Sequence, residues 1–269
     1  MKVLVTGGAG FIGSHIVEAG LARGHELLVL DNLSTGLRSN VPQGVDLLEV
    51  DLRDAKATLE AVHKFQPDAI CHQAAQASVG LSMERPAQDA ENNVVGSLNL
   101  LEAALASHVK TFVFASTGGA IYGEIPTGTR ATSATLPAPE SPYAVGKLAV
   151  ENYLRLYERN QGLKTSILRY ANVYGPRQGS GGEAGVVSVF LNRELNGQPL
   201  PIFAQVTRGD DGCVRDYVYV EDVVRANWFG VRGNAYSSAI EPRNGSWNEH
   251  AEIGGRGVRA IGASRETSV

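Results

Sequence analysis

Short apolar runs alternate with amphipathic stretches along this chain, and the first pair sets the frame. Lys2–Thr6 is a run of strand type, followed by Gly7, Gly10 and Gly13. Phe11, Ile12, His15, Ile16 and Ala19 then recur at helical spacing up to Arg23. Further strand-type runs are Glu26–Leu30, Asp46–Val50, Ala69–His72, Thr111–Ala115 and Lys164–Arg169. Between them lie helical patterns at Ala55–Lys64, Gln88–Ser107, Tyr143–Tyr157 and Val186–Leu195. In the longest of these, Val94, Leu98, Leu101 and Leu105 share one side. Val218–Val220 is a last short apolar alternation, and no internal repeat appears. The alternation predicts an α/β fold: a doubly wound parallel sheet with helices on both faces.

The order strand, glycine turn, helix aims the first free N–H groups of a helix, and the positive end of its dipole, at one point. That point suits a pyrophosphate. The three glycines serve a tight turn, close phosphate approach and close packing of helix on strand. Asp31 ends the second strand, 21 residues after Gly10. A carboxylate there can bond both ribose hydroxyls of an adenosine and would repel a 2′-phosphate, which favours NAD over NADP.

Ser116-Thr117-Gly118-Gly119 leaves the fifth strand at its carboxyl end, where ligands bind in open α/β sheets. Tyr143 and Lys147 are four apart on the helix that follows, so they share a face. An ammonium and a nicotinamide cation nearby would lower the phenol pKa and make Tyr143 a general base. Past the sixth strand, Asn172 can reach a substrate or cap a turn. Arg215 can hold a second diphosphate or pair with Asp216 at the surface.

Composition narrows the class without changing it. The chain has 269 residues and a net charge of −4, so nothing points to nucleic acid or an anionic membrane. Cys71 and Cys213 have no metal spacing, and no metal site is expected; Cys71 reads as a buried thiol in an apolar strand. No apolar run is long enough to span a membrane, and no signal peptide precedes Lys2. The expected setting is cytoplasmic and reducing.

Taken together, TGGAGFIGSH, DNLSTG, HQAAQASV, ENNVVGSLNLLEA, FASTGGAIYGE, SPYAVGK, LRYANVYGPRQ and CVRDYVYVEDV resemble the extended short-chain dehydrogenase/reductase family. Within it they are most similar to the bacterial UDP-glucose 4-epimerase branch of the NAD-dependent epimerase/dehydratase group, over about Met1 to Ala226. The resemblance implies a Rossmann-like NAD-binding domain over 1–175 and a smaller, incomplete substrate domain over 176–269. It assigns the base role to Tyr143 and its partner role to Lys147. It assigns NAD contacts to Gly7, Gly10, Phe11, Ile12, Asp31, Asn32, Asp51, Leu52, Ala74 and Asn93, beside Gly13 of the glycine turn. Asn172, Arg215 and Val187 would face the UDP-sugar, and a homodimer is expected. Counted back from Tyr122-Gly123, the place where many relatives keep an active-site hydroxyl is Gly118, so Thr117 or Ser116 must supply it. The implied reaction oxidises a UDP-hexose at C4 and reduces the 4-keto sugar on its other face. Alternatives within the family are a 4,6-dehydratase, disfavoured because no carboxylate follows Thr117, and a uronic-acid 4-epimerase. A non-catalytic NAD-binding protein is a third.

After Ala226 the family pattern stops. AYSSAIEPRNGSWNEHAEIGGRGVRAIGASRETSV is rich in Gly, Arg and Ser and holds neither apolar period. The expectation is that Trp228–Val269 does not complete the substrate domain, as after a truncation or a frameshift.

Overall fold

The computed structural model describes residues 1–126, 129–132, 134–179, 185–200 and 214–233, with the backbone alone of 258–261 and 267–268. Its centre is a parallel sheet. β1 (Lys2–Thr6), β2 (Glu26–Asp31), β3 (Asp46–Glu49), β4 (Ala69–His72), β5 (Thr111–Thr117) and β6 (Lys164–Tyr170) follow one another through helical crossovers. The spatial order is β3-β2-β1-β4-β5-β6, and β10 (Val258–Ile261) pairs in parallel along the outer edge of β6. Because all strands run one way, their carboxyl ends share one rim. The order reverses between β1 and β4, which leaves the crevice used by ligands of doubly wound sheets.

β1, β2, β4, β5 and β6 are almost wholly buried, so they read as apolar runs, while β3 at the edge is largely exposed. Their side chains alternate between two cores. One face holds Val3, Val5, Val113 and Ala115 against Ile16, Val17 and Trp228. The other holds Leu4, Ile70, Phe112 and Phe114 against Leu100, Leu101, Val150 and Leu154.

The helices start where capping chemistry allows. α2 (Ala55–Phe65) opens with the Asp54 carboxylate accepting the Ala57 N–H, and α6 (Pro142–Gln161) with the Ser141 hydroxyl accepting that of Ala144. The stretch expected as one helix over Gln88–Ser107 is a rod of three parts. α4 (Pro86–Ala90) leads into a π-helical turn (Glu91–Val95) and then α5 (Gly96–Ala106). Apolar periodicity survives the extra residue of a π turn, so the sequence pattern conceals it. α3 (Val79–Glu84) precedes the rod, and α7 (Val186–Leu195) lies where the sequence placed it.

The second part of the chain returns to the first. β7 (Asn172–Tyr174) pairs in parallel with β9 (Tyr217–Tyr219), and α8 (Val220–Val231) then packs on α1 (Phe11–Leu21), β4, β5 and β6. A division at 175 therefore cuts α8 from the sheet it covers. Loss of pattern at Ala226 is also too early: Trp228 and Val231 are buried, and the Trp228 indole N–H donates to Ile16 O at 3.1 Å. Cys213, 234–257 and 262–266 lie outside the described residues, so the expectation for the tail is met by structure only at β10 and at β11 (Thr267–Ser268). β10 joins the outer edge of the main sheet. An open strand edge recruits a partner by backbone hydrogen bonding, for which no apolar period is needed.

His72 ties the rim together. Its Nδ1 lies 2.6 Å from Thr6 Oγ1 and its Nε2 2.8 Å from Ser97 Oγ. The Ser97 hydroxyl donates to Asn93 O and Thr6 Oγ1 accepts the Ala74 N–H, so the network assigns the proton to Nε2. Burial, aided by the charge of Lys147, pushes the His72 pKa down to about 3. The folded ring stays neutral where the unfolded one binds a proton, so stability falls as pH drops below the ordinary value of 6.5. Urea titrations at pH 7 and pH 5 are expected to show this contribution at about 2 kcal/mol. A His72→Gln protein, less stable at both, loses correspondingly less between them. Equal losses in both proteins would contradict the assignment.

Candidate active site

The glycine turn at the rim is shaped by clearance. Gly7 has φ +67°, and a Cβ there would meet Ala74 N at 2.7 Å. A Cβ on Gly13 would lie 2.1 Å from Gly7 O. Neither position admits a side chain, so the turn can lie against both the β4 exit and α1. Gly10 caps α1, and Ser14 N–H closes the first helical turn onto Gly10 O at 3.1 Å. Helix geometry leaves the N–H groups of Phe11, Ile12 and Gly13 without acceptors in the helix. This cradle fits a pyrophosphate.

Asp31 stands beside it. Its carboxylate accepts the Ala9 N–H at 3.0 Å and the Leu33 N–H at 2.9 Å, which fixes it at the end of β2 with lone pairs to spare. Asn32 donates to Asp51 at 3.2 Å. Asp51 is also gripped by Arg53, whose hydrogen bonds hold its carboxyl well below the usual range. Leu52 Cβ lies only 3.2 Å from the place of a Cβ on Gly96 in the rod, tighter than ordinary van der Waals contact. Asn93 sits in the π turn, accepts the Gln76 N–H at 2.9 Å and donates to Gln76 O at 2.9 Å. Ala74 and Asn93 are thus joined through the His72 network. The residues expected to hold NAD lie along the rim from β2 through β1 to β4, and they fit a dinucleotide.

The chemistry-bearing residues stand at the end of β5. Lys147 is buried, and its ammonium donates to Ala115 O at 2.9 Å. It also lies 4.8 Å from the centre of the Phe114 ring and 5.8 Å from that of Tyr143. Burial pulls the Lys147 pKa down to about 8, against the opposing charges of Asp89 and Glu151. The lowered phenol expected for Tyr143 is not a property of the protein alone. Burial, with the nearby Asp89 charge, pushes it up to about 12. The ammonium is too far and too well shared to reverse this, so the remaining lowering falls to the cofactor's positive ring.

The two candidate hydroxyls separate cleanly. Ser116 donates to Glu151 Oε1 at 2.6 Å, inside a buried network in which Arg169 binds both Glu151 oxygens and the Tyr122 hydroxyl. Thr117 points to the other face of β5. Among the described residues neither its hydroxyl nor that of Tyr143 makes a hydrogen bond. Gly118 N–H donates to Tyr170 O at 2.7 Å, and a Cβ on Gly118 would lie 3.2 Å from that oxygen. The chain therefore turns away tightly just past Thr117.

Asn172 makes the turn contact that was one of its two expected roles. Its amide donates to Asp216 O at 2.9 Å and pins β7 to the start of β9. That amide is also 4.0 Å from the place of a Cβ on Gly119, so it remains beside the β5 exit. Arg215 is exposed on β8 (Val214–Arg215), and Val187 is exposed on α7. Asp89, Gln76, His72 and Glu151 were missed as site residues. The signal was present: Asp89 lies four before Asn93, and Glu151 four after Lys147, each one helical turn away.

Comparison with known proteins agrees with this geometry. A family model described as NAD dependent epimerase/dehydratase family matches residues 3–238. The UDP-glucose 4-epimerase of Mycolicibacterium smegmatis is 44% identical over 232 residues, 84% of this chain and 72% of that protein. The solved UDP-glucose 4-epimerase of Thermus thermophilus, in complex with NAD, is 50% identical with a TM-score of 0.87, covering 100% of this chain and 79% of that one. That of Thermotoga maritima, with UDP-glucose, is 42% identical with a TM-score of 0.86 over the same shares. With its glycine cradle, strand-end threonine and Tyr143–Lys147 pair in the places this sheet provides, the chain belongs to the NAD-dependent epimerase/dehydratase family.

Proposed function

We propose that this protein interconverts the C4 epimers of a UDP-hexose, UDP-glucose and UDP-galactose, with NAD as cofactor. The observation that carries the reading is the Tyr143–Lys147 pair at the end of β5, with a free Thr117 hydroxyl beside it. The relatives bound to NAD and to UDP-glucose support the ligand classes. NAD, when bound, supplies reversible oxidation and reduction at the sugar C4. Gly7, Gly10, Phe11, Ile12, Gly13 and Asp31 would hold it, with Asn32, Asp51, Leu52, Ala74 and Asn93 along its length.

The chain's own residues handle the proton. Tyr143 accepts the proton of the 4-hydroxyl at its phenolic oxygen and returns it after the sugar has turned over. The Lys147 ammonium stabilises the phenolate. Thr117 hydrogen-bonds the same sugar oxygen and holds it in line. Asn172, Arg215 and Val187 face the sugar nucleotide in this reading. Ser116 has a different task, since its hydroxyl is committed to Glu151.

Two finer features complete the reading. On α6 the exposed Val145, Tyr153 and Leu156 form one stripe, and exposed Val95 lies on the rod that packs beside it. This apolar surface suits a homodimer built helix against helix. A cytoplasmic setting fits NAD-linked chemistry and the free thiol of Cys71.

Tyr143→Phe is expected to keep NAD bound and lose at least about 10²-fold in turnover of UDP-glucose, the ordinary share of a general base. A variant retaining more than about a hundredth of the rate would remove Tyr143 from that role.

Thr117→Val and Ser116→Ala should fail in different ways. The first loses on the order of 10²-fold in kcat with an unchanged melting temperature. The second keeps kcat within about tenfold but loses about 1.5–3 kcal/mol of stability, as a buried hydrogen bond to a charged group is removed. The reverse pattern would give the catalytic hydroxyl to Ser116.

Light scattering on the eluting protein is expected to give a dimer mass, and Val145→Glu combined with Leu156→Glu a monomer. A monomer before substitution would contradict the interface.

A further inference from the structure

Asp89 is buried, only 2% exposed, on the short helix α4 that packs against α6. Its Oδ1 is well served: it accepts from Gln76 Nε2 at 2.8 Å and from Asn93 Nδ2 at 2.9 Å. Among the described residues its Oδ2 has no hydrogen-bond partner. That oxygen lies 3.7 Å from where a Cβ on Gly146 would sit, on the turn of α6 between Tyr143 and Lys147. A buried carboxylate oxygen without a donor is costly unless a nearby opposite charge compensates. The compensating charge is the buried ammonium one residue beyond Gly146.

We propose that Asp89 is a positioning residue whose negative charge, held against α6, keeps Lys147 an ammonium and holds Tyr143 back from ionising. The proposal rests on the reading in which Tyr143 and Lys147 carry the chemistry.

The neighbourhood leaves this task to Asp89. The charged and titratable groups facing Lys147 are Asp89 from α4, Glu151 and Tyr143 from its own helix, and His72 from β4. Glu151 is already neutralised by Arg169 and Arg155. His72 is held neutral, as described above. Asp89 is the leading charge that opposes the effect of burial on Lys147, and the charge that adds to the effect of burial on Tyr143. One carboxylate thus acts on both members of the pair, in the same direction: each binds its proton more tightly. The Gln76 and Asn93 amides hold that carboxylate in place, which ties the charge to the loop and π turn beside the NAD cradle.

Asp89→Asn isolates the charge. The amide keeps an oxygen for both donors, and its NH₂ replaces the oxygen that has none. Removing the charge should lower the pKa of both Tyr143 and Lys147. In the protein with its NAD, both limbs of the kcat–pH profile are expected to move to lower pH by on the order of one unit. Asp89→Glu, which keeps the charge, should leave both limbs where they are. A second readout needs no turnover. The tyrosinate absorbance of Asp89→Asn minus that of its Tyr143→Phe counterpart should titrate at lower pH than the same difference without the Asp89 change. If Asp89→Asn does not fold, Asp89→Ser removes the same charge in a smaller volume. Limbs and tyrosinate difference that stay in place, with only the height of the profile changed, would make Asp89 a structural residue and overturn the proposal. A protein that titrates as expected but does not epimerise UDP-glucose would instead overturn the proposed reaction and leave the role of Asp89 standing.

Discussion

A positive charge buried inside a protein must be compensated, and the site at the end of β5 is organised around one. The Lys147 ammonium sits under the sheet rim with a single hydrogen bond shown, to Ala115 O. It lies over the Phe114 ring and faces two buried carboxylates, Asp89 and Glu151. The penalty for placing an ammonium there is several kcal/mol, so the surroundings are not free to vary. Glu151 needs Arg169, Arg169 needs Tyr122, and the Ser116 hydroxyl completes that group. On the other side, Asp89 needs Gln76 and Asn93. Each requirement fixes a piece of backbone: the last residues of β5, the exit of β4, and the π turn.

These pieces are the walls of the site. Fixing 115–116 fixes Thr117, the next residue, on the opposite face of the strand. Fixing Gln76 and Asn93 fixes Ala74 through Thr6 and His72, and with it the floor under the glycine turn. The positions proposed to meet NAD and those proposed to move the proton therefore belong to one frame, joined by hydrogen bonds and by the charges around Lys147. The parallel sheet supplies the other half of the arrangement by bringing the carboxyl ends of β1, β2, β4, β5 and β6 to one rim.

The parallel core was legible in the sequence because strands buried on both faces must be apolar runs, and capped amphipathic helices must keep their period. β1, β4 and α7 fall where those patterns place them. The glycine turn was legible because only glycine satisfies clearances such as that between Gly13 and Gly7 O. What patterns could not show was polar and local. The π turn hides inside a continuing apolar period. Asn172 at the β6 exit left two roles open; its bond to Asp216 O makes the turn contact, and its exposed amide stays beside the β5 exit. The Tyr143 phenol was expected to be lowered by its lysine, yet burial and Asp89 outweigh a distant, shared ammonium. Asp89 and Glu151 passed unnoticed because a lone carboxylate in a helix is ordinarily a solvated one. Only packing shows that both are buried.

The reaction proposed for this frame is reversible C4 epimerisation with no net redox change. Incubation of the purified protein with UDP-glucose, followed by chromatography of the sugar nucleotides, tests it most directly. The expected result is UDP-galactose accumulating to a constant ratio, approached equally from UDP-galactose, with no added reductant and no net NADH released. Recovery of unchanged UDP-glucose, or of a product that has lost water, would contradict it.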